Sequence, residues 1–333
     1  MKRLKIFTWH VHGSYLYYLS KIRHDIYLPK KNPGADGYWG ITPSYPWPDN
    51  VHEIPFEEVK NHKFDVVLFQ SHKNYLIDQF EVLSEEQRKA PRIYLEHDPP
   101  REHPTDTFHP VDDPEILLVH VTDFNRLMWD SRRTPTTVID HGVSVPEEIQ
   151  YGGELQKGIV VVNNISLRGR RLGKDIFETA RNDLELDLVG MGWEKVGGLG
   201  EIKHQDLPRF CSQYRYFFNP IRYTSLGLSI LEAMMVGMPI VGLATTELVS
   251  VIQNETSGYL STRPSELIEV SKELIRYPNL ARRWGANAKR VAMDRFSIDR
   301  FVQDWNRVLR DVSFPYSSII IPSFNMEETW KSP

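Results

Sequence analysis

The most informative residues lie between 219 and 242, where a polar loop leads into an apolar helix with one acidic side chain. The loop ends at Gly227, and a helix that begins at Leu228 would present free backbone N–H groups and the positive end of its dipole. Both features attract phosphate. Glu232 lies four residues after Leu228, one turn into the same helix face. A carboxylate there can accept hydrogen bonds from the two ribose hydroxyls of a nucleotide.

A lone glutamate on a helix usually faces solvent, so the surroundings of Glu232 decide between a structural and a functional interpretation. The helix is apolar almost all round, which is typical of a buried helix. Its apolar residues are Leu228, Ile230, Leu231, Ala233, Met234, Met235 and Val236. Because a buried carboxylate needs a partner or a role, the pattern favours a binding site.

A second candidate for phosphate binding is the basic segment at residues 168–174, which follows a predicted strand that ends at Asn163-Asn164. Its cationic residues are spaced by glycines before a predicted helix, and they are Arg168, Arg170, Arg171 and Lys174. Arginine offers a forked, permanently charged set of donors for phosphate oxygens. A solvated basic turn or a nucleic-acid patch is the alternative. The net charge of -4 and the neighbouring anion loop favour a diphosphate clamp.

These segments belong to a repeated alternation of strands and helices, which predicts parallel sheets covered on both faces. A chain of 333 residues is long enough for two such domains. We predict an N-terminal Rossmann-like domain at 1–145, a linker at 146–157, a C-terminal Rossmann-like domain at 158–312 and a tail at 313–333. Predicted strands cover 4–9, 25–28, 64–70, 92–96, 116–121 and 137–140, then 158–162, 186–189, 216–219 and 239–243. Predicted helices include 15–23, 174–180, 205–213, 247–253, 265–276, 280–294 and 298–312.

Ligands of open parallel sheets bind at the carboxyl ends of the strands, so the residues that follow the strands are candidates for the site. The first predicted strand leads into a loop at 10–14, where Gly13 would allow close approach of the backbone. The fourth ends at His97 and Asp98.

Residues 29–50 form a long predicted loop that combines five prolines with Tyr38, Trp39, Tyr45 and Trp47. So many aromatic side chains argue against disorder. Stacking on sugar rings and packing over a domain edge are both compatible with the composition.

Several classes of protein are excluded or disfavoured. The one cysteine, Cys211, excludes an intramolecular disulfide and a cysteine-based metal cluster, and it suggests a reducing compartment. The 12 histidines show neither the spacing of a zinc protease nor an evident carboxylate partner. Walker A, GxSxG and correctly placed GxGxxG motifs are absent from the sequence, which argues against kinases, serine hydrolases and NAD enzymes. We expect no signal peptide, and the net charge gives no reason to expect binding to nucleic acid.

Residues 224–241 resemble the sequence signature of GT-B glycosyltransferases, and in particular of glycosyltransferase family four, the group one transferases. The usual pattern is E-G-F-G-L-x-x-x-E-A-M-x-x-G-x-P-V-V, and this chain has TSLGLSILEAMMVGMPIV. Segments 139–143, 189–192, 247–249 and 258–260 also look like parts of that family. The resemblance covers residues 158–312 well and residues 1–145 more thinly. It implies two Rossmann-like domains that face each other across a cleft.

The resemblance also implies roles for individual residues. Glu232 would hold the ribose of a nucleotide sugar, and Ile202 lies in the loop that touches the base. Gly13 would approach the donor, and His97 would lie beside the reacting sugar, where a neutral imidazole can hydrogen-bond a hydroxyl or assist developing charge. The diphosphate would contact the backbone N–H groups of Gly227, Leu228 and Ser229, with one or more of Arg168, Arg170, Arg171 and Lys174.

One departure from the family pattern concerns the donor sugar. Thr224 replaces a glutamate that normally contacts this sugar, and it is followed in the loop by Ser225. A hydroxyl can still hydrogen-bond a sugar, but it carries no charge. The identity of the sugar therefore stays open.

The sequence thus predicts a cytoplasmic transferase that moves a sugar from a nucleotide sugar to an acceptor hydroxyl, with retention and without a metal ion or another cofactor. The acceptor is expected to be a carbohydrate or a lipid-linked molecule, and a lipid-linked acceptor would bring the protein to the inner face of a membrane. Two alternatives stay open. One is a sugar-nucleotide epimerase, for which Asp98 is the nominated acid or base. The other is a non-catalytic partner that binds nucleotide sugar.

Overall fold

A computed structural model describes residues 2–314 of the chain. The first part of this range forms a parallel sheet with the strand order β3-β2-β1-β4-β5-β6-β7. Its strands are β1 (Lys5–Thr8), β2 (Asp25–Lys30), β3 (Val51–Pro55), β4 (Val66–Phe69), β5 (Arg92–Glu96), β6 (Ile116–His120) and β7 (Thr136–Val138). The helices of this layer are α1 (Gly13–Leu19), α2 (Gln79–Val82) and α3 (Asp123–Met128), with a π-helical turn at Asn74–Asp78 and 3₁₀ turns at Phe56–Asn61 and Gln87–Lys89.

The second part forms another parallel sheet, with the order β12-β11-β10-β8-β9. Its strands are β8 (Leu155–Val161), β9 (Leu186–Val189), β10 (Tyr214–Asn219), β11 (Ile240–Leu243) and β12 (Gly258–Ser261). Its helices are α4 (Ile165–Arg168), α5 (Lys174–Ala180), α6 (Leu207–Cys211), α7 (Leu228–Val236), α8 (Leu248–Val251), α9 (Pro264–Arg276), α10 (Pro278–Phe296) and α11 (Ile298–Ser313), with 3₁₀ turns at Gly169–Leu172 and Trp193–Val196.

The central strands are buried on both faces, as expected for parallel sheets between helices. All residues of β4 are buried. All residues of β10 are buried too, although one of them is Arg215. Its guanidinium donates hydrogen bonds to the carbonyl oxygens of Gly153, Leu274 and Ile275 at 2.7–3.1 Å. These bonds compensate the removal of the charge from water and tie β10 to the end of α9.

The predicted fold of two parallel α/β layers is confirmed. Two of the observed strands, β3 and β12, were not predicted from the sequence. β3 is an edge strand with exposed polar positions and a terminal proline, and β12 has only two apolar side chains, which lie between a glycine and a serine. β8 begins at Leu155, three residues before its predicted start and inside the predicted linker. Its first three residues include the polar Gln156 and Lys157 and are not buried, so the apolar run that indicated the strand begins only at Gly158. α1 begins at Gly13, so this glycine is the first helical residue and does not lie in a loop.

The last helix joins the two layers. The indole N–H of Trp305 on α11 donates to the hydroxyl of Tyr15 on α1 at 3.1 Å. Phe301, also on α11, packs against Gly142, where a Cβ atom would come within 2.1 Å of the phenylalanine Cβ. The resemblance to GT-B glycosyltransferases suggests such a return to the N-terminal domain for the last helix and for the tail at 313–333. The helix makes the contact, and residues 315–333 lie outside the described range.

A charged cluster next to α11 also crosses between the layers. Arg295 at the end of α10 donates to both carboxylate oxygens of Asp140 at 2.7 and 3.1 Å and to Glu247 at 2.8 Å. Glu247 is buried and also accepts the backbone N–H of Phe124 in the first turn of α3 at 2.9 Å. A carboxylate at a helix N-terminus is favourably placed in the helix dipole.

Within residues 2–314, no helix is long and apolar enough to cross a membrane.

The contact between Gly142 and Phe301 gives a test of how α11 docks. Gly142→Ala should lower the free energy of unfolding by about 1–3 kcal/mol, because the Cβ atom of Phe301 cannot move without its backbone. Chemical denaturation measures the change. Gly227→Ala is the matched control, since the nearest atoms to its Cβ lie 3.8 Å away and its φ is -73°. Equal stability of the Gly142→Ala and wild-type proteins would contradict the docking.

Candidate active site

The two predicted phosphate loops follow β8 and β10, which are neighbours in the second sheet although β9 lies between them in the chain. Such a switch point opens a crevice at the carboxyl ends of the strands. The loops touch each other there. Gly173 has φ +78°, and a Cβ atom on it would lie 1.9 Å from the carbonyl oxygen of Pro220. The backbone N–H of Arg222 donates to the carbonyl oxygen of Arg171 at 3.0 Å. The two loops therefore form one unit.

Two cationic residues of the segment at 168–174, Arg170 and Lys174, form ion pairs within their own domain. Arg222 binds both carboxylate oxygens of Asp175 at 2.6 and 2.8 Å, and Arg170 binds the same carboxylate at 2.6 Å. Lys174 pairs with Glu178 at 2.9 Å. The structure thus directs Arg170 and Lys174 toward acidic side chains of their own domain, and Arg222 fixes the loop.

Arg168 and Arg171 are placed differently. Among the described residues, neither forms an ion pair. Burial and then the charges of Arg101 and Arg168 lower the pKa of Arg171, so these three guanidinium groups are close together. The charge of Arg168 also adds to the larger effect of burial in lowering the pKa of His12. Both arginines therefore face the N-terminal layer across the cleft, and they are the members of the segment best placed to meet an anion there.

The helix that follows the second loop matches its prediction. α7 begins after Gly227, no side chain caps its N-terminus, and Leu228 and Ser229 supply its first N–H groups beside the loop. Thr224 is half-buried, as are Leu228 and Ser229. Ser225 is buried, and its hydroxyl has no hydrogen-bond partner among residues 2–314. A buried hydroxyl of this kind is suited to a ligand or an ordered water molecule.

Glu232 is 3% exposed, as the apolar surroundings predicted. Its Oε1 atom accepts two hydrogen bonds, from the hydroxyl of Tyr18 at 2.8 Å and from Nε2 of His204 at 3.0 Å. Burial and the adjacent carboxylate raise the pKa of Tyr18 well above its usual value, so the phenol keeps its proton. Sequence reasoning missed both partners. Tyr18 belongs to the other layer, which no pattern indicated, whereas His204 lies two residues after Ile202 in a loop already assigned to the base.

The surroundings of His204 are aromatic. Its ring lies 5.2–5.6 Å from the rings of Tyr17, Tyr18 and Tyr45. Tyr45 also packs against Gly13, where a Cβ atom would come within 2.8 Å of the tyrosine ring. The close approach that Gly13 permits is therefore to the aromatic loop. Ile202 is partly buried and packs on the core beside these residues.

The composition of the loop at 29–50 was compatible with stacking on sugar rings and with packing over a domain edge. In the structure, its aromatic side chains pack against the protein. Tyr38 is buried, and the ring of Trp47 contacts the rings of Tyr17 and Tyr45. Trp39 is 49% exposed. Tyr45 reaches both layers through Tyr17 and His204, so the loop covers the edge of the cleft.

On the N-terminal side, His97 follows β5 and lies against His12, with 3.9 Å between the ring centroids. The side-chain amide of Gln70 donates to Thr8 and to the carbonyl of Trp9, so its oxygen faces Nε2 of His97 at 3.2 Å. Nε2 therefore carries the proton, and Nδ1 keeps a lone pair. Burial, with His12 and His141 nearby, lowers the pKa of His97 well below its usual value. The imidazole is neutral, as the predicted role requires.

A cluster next to His97 corrects the view that no histidine has a carboxylate partner. Nε2 of His109 lies 3.1 Å from Oε2 of Glu96, and Nε2 of His72 lies 3.9 Å from the same atom. Burial alone would raise the pKa of Glu96, but the contacts with His109 and His72 outweigh burial and lower it to about 2. The partners are 13 residues apart, in β5 and in a later loop, so no short motif contains both.

The three ligand atoms of this cluster lie within 4.8 Å of one another, which is close enough to suggest a metal site. The tautomer of His109 argues against it. The backbone N–H of Val111 donates to Nδ1 of His109 at 3.1 Å, so the neutral ring carries its proton on Nε2 and donates it to Glu96. A metal ion needs a lone pair on that nitrogen. The arrangement is that of a hydrogen bond to an ionised carboxylate.

Comparison with known proteins agrees with the resemblance to group 1 glycosyltransferases that the sequence shows. Residues 191–291 match the profile of the family described as Glycosyl transferases group 1. No curated protein sequence shows a significant match to the chain.

The fold is similar to that of several solved glycosyltransferases. Anabaena HepE in complex with UDP and glucose aligns with a TM-score of 0.67 and 16% identity, over 92% of this chain and 99% of that one. Sucrose-phosphate synthase from Thermosynechococcus elongatus aligns with a TM-score of 0.63 and 14% identity, over 93% and 99% of the two chains. A glycosyltransferase from Rickettsia africae aligns with a TM-score of 0.63 and 11% identity, over 96% and 100%. The chain therefore has the GT-B fold of these enzymes, and its residues 191–291 match the group 1 glycosyltransferase family.

Proposed function

We propose that the protein transfers a sugar from a nucleoside diphosphate sugar to an acceptor hydroxyl with retention of configuration, and that arginines take the place of a metal ion at the diphosphate. One observation carries the proposal. Arg168 and Arg171, which lack ionic partners among residues 2–314, lie on the loop that contacts the loop before α7, and no side chain caps the N-terminus of α7. The loops that hold these groups are in contact. Two fixed positive charges and a helix dipole suit a leaving diphosphate.

The chemistry is a substitution at the anomeric carbon. The bond from this carbon to the diphosphate oxygen breaks, and the acceptor oxygen bonds to the same face of the sugar. The acceptor proton passes to the departing phosphate oxygen, so atoms and charges balance. Arg168, Arg171 and the first N–H groups of α7 stabilise the charge that develops on the diphosphate. Glu232 orients the nucleotide through the ribose, and Thr224 and Ser225 offer hydroxyls to the donor sugar.

The state of the groups on the N-terminal side supports retention. Inversion requires a base that removes the acceptor proton, and an efficient base has a pKa near the working pH. The pKa of His97 lies well below its usual value, and Glu96 already accepts a hydrogen bond from His109. Asp98 is occupied by Arg101 at 2.5 Å. The same contacts give the epimerase alternative no support, because they engage the carboxylates that it would use.

The fold relatives suggest the class of donor. HepE was solved with UDP and with UDP-glucose. A uridine diphosphate sugar is accordingly the first donor to test for this chain. The location of the enzyme in the cytoplasm and its association with a membrane remain predictions.

The proposal predicts unequal roles for two neighbouring arginines. Arg171→Gln should slow the release of nucleoside diphosphate from a nucleotide sugar about 100- to 1,000-fold, because a donor to the developing charge is lost. Arg170→Gln should change this rate less than about fivefold, since Arg170 is in a surface ion pair. Steady-state assays of the released nucleotide across a panel of nucleotide sugars measure both rates. Equal losses in the two variants would contradict the proposal.

The hydrogen bond from Tyr18 to Glu232 gives a second test. Oε1 of Glu232 already accepts two hydrogen bonds, so a ribose hydroxyl competes with Tyr18 for this atom. Tyr18→Phe should therefore tighten the binding of a nucleoside diphosphate about two- to tenfold, measured by isothermal titration calorimetry. Tyr15→Phe is the matched control on the same helix, because the Tyr15 hydroxyl bonds to Trp305. Weaker binding in Tyr18→Phe would show that the phenol is part of the nucleotide site.

A further inference from the structure

A cavity of about 590 Å³ lies on the N-terminal side of His97, and none of the residues of the donor loops lines it. Its walls come from the ends of β4 and β5, from the segment at 99–110 and from Trp129. His12 and His97 line it as well, so it borders the place where the reacting sugar is proposed to lie. Its volume is in the range of small-molecule sites.

The charged groups of the cavity are mainly acidic. Glu96, Asp98 and Glu102 line it, and Arg101 is its one basic residue with a permanent charge among those described. Arg101 is paired with Asp98. Burial lowers the pKa of both His12 and His97, so these rings add no positive charge at neutral pH. The lining of the cavity therefore carries an excess of negative charge. Arg168 and Arg171 lie close to Arg101 from the donor side, and the diphosphate of a bound donor is proposed to neutralise them.

Hydrogen bonds hold the carboxylate of Glu96, which lines the cavity, in a fixed position. Oε2 accepts the proton of His109 at 3.1 Å, and Oε1 accepts the backbone N–H of Asp98 at 2.9 Å. An ionised carboxylate has about four acceptor positions, so each oxygen can accept a further hydrogen bond. A hydroxyl group provides such a donor, whereas a phosphate provides only further acceptors and negative charge.

One wall of the cavity is aromatic. Phe108 lines it and is 58% exposed, which is unusual for a large apolar side chain. Trp129 also lines the cavity, and its indole N–H donates to the carbonyl oxygen of Asp98 at 2.8 Å. The guanidinium of Arg132 lies 4.2 Å from the centre of the Phe108 ring and covers one face of it. The opposite face can stack on the C–H face of a sugar, and the neighbouring carboxylates can accept hydrogen bonds from the sugar hydroxyls. This combination selects for hydroxyl-rich, uncharged molecules.

We propose that the cavity bordered by Glu96, Glu102 and Phe108 binds an uncharged sugar as the acceptor and discriminates against acceptors with a phosphate close to the reacting hydroxyl. This inference rests on the proposed transferase function. Like charges about 6 Å apart in a partly buried site should disfavour a phosphorylated acceptor by about 100-fold or more.

The test uses the full chain and the donor that shows the fastest release of nucleoside diphosphate. Matched acceptor pairs are added, namely glucose with glucose 6-phosphate and methyl glucoside with its 6-phosphate, and the increase in release is measured. The uncharged member of a pair should exceed the phosphorylated member in kcat/KM by about 100-fold or more. An octyl glucoside arm at submicellar concentration distinguishes a free sugar from one attached to an apolar chain.

Two variants locate the effect. Glu102→Lys should reduce the preference for the uncharged acceptor at least tenfold, whereas Glu115→Lys, an exposed reversal outside the cavity, should leave it unchanged. Phe108→Ala should raise the KM for the acceptor about three- to tenfold with little change in kcat. Because both side chains are at or near the surface, we expect the variants to fold, and circular dichroism checks this.

The outcomes separate the two proposals. If no nucleotide sugar is turned over and no nucleoside diphosphate binds, the transferase proposal fails, and the acceptor proposal fails with it. If the donor is turned over but phosphorylated acceptors perform as well as uncharged ones, only the acceptor proposal is overturned. The same holds if Glu102→Lys and Glu115→Lys have equal effects.

Discussion

The carboxyl ends of two parallel sheets must face each other for this site to exist, and the cluster around Arg295 is the contact on which that orientation depends. Arg295 joins Asp140, at the end of the first layer, to Glu247 in the second, and Glu247 also holds the first turn of α3. Glu247 is almost fully buried, so loss of its partner would leave a carboxylate without compensation. α11 then crosses to α1 and fixes the orientation from the other side.

This orientation brings opposite electrostatic environments together. The second layer presents Arg168, Arg171 and the N-terminus of α7, whereas the first presents ionised Glu96 and a neutral His97. The proposed substitution at a sugar needs stabilisation of the negative charge on the leaving group, and it needs hydrogen-bond acceptors for the hydroxyls of an uncharged acceptor. The division of charge between the layers meets both requirements. Tyr18 links them directly, because a residue of the first layer occupies the carboxylate proposed to bind the ribose.

Much of this architecture follows from the sequence because its signals are local. The helix at 228–236 was predictable from a glycine at one end, a glycine and a proline at the other, and an apolar surface that implied burial of Glu232. The alternation of apolar strands with helices gave the two layers. The edge strands β3 and β12 were harder to predict, since β3 lacks a continuous apolar run and β12 has only two apolar side chains, which lie between a glycine and a serine.

The site was only partly predictable, because its specific contacts join residues that are distant in the chain. Spacing alone did not distinguish Arg168 and Arg171 from Arg170, since the difference depends on an ion pair with Asp175. The bond between His109 and Glu96 connects a loop to a strand end, and the bond between Tyr18 and Glu232 connects two layers. Such pairs become visible only when the fold brings them together.

Glu232 and the two phosphate loops are proposed to form a nucleotide site, and a thermal-shift panel of nucleosides, nucleoside monophosphates and nucleoside diphosphates tests this most directly. One nucleoside diphosphate, at about 100 times its dissociation constant, should stabilise the protein by about 2.7 kcal/mol. Its monophosphate and nucleoside should stabilise the protein less, and Glu232→Ala should lose most of the effect while remaining folded. A response to no nucleotide, or a response that Glu232→Ala leaves unchanged, would contradict the account.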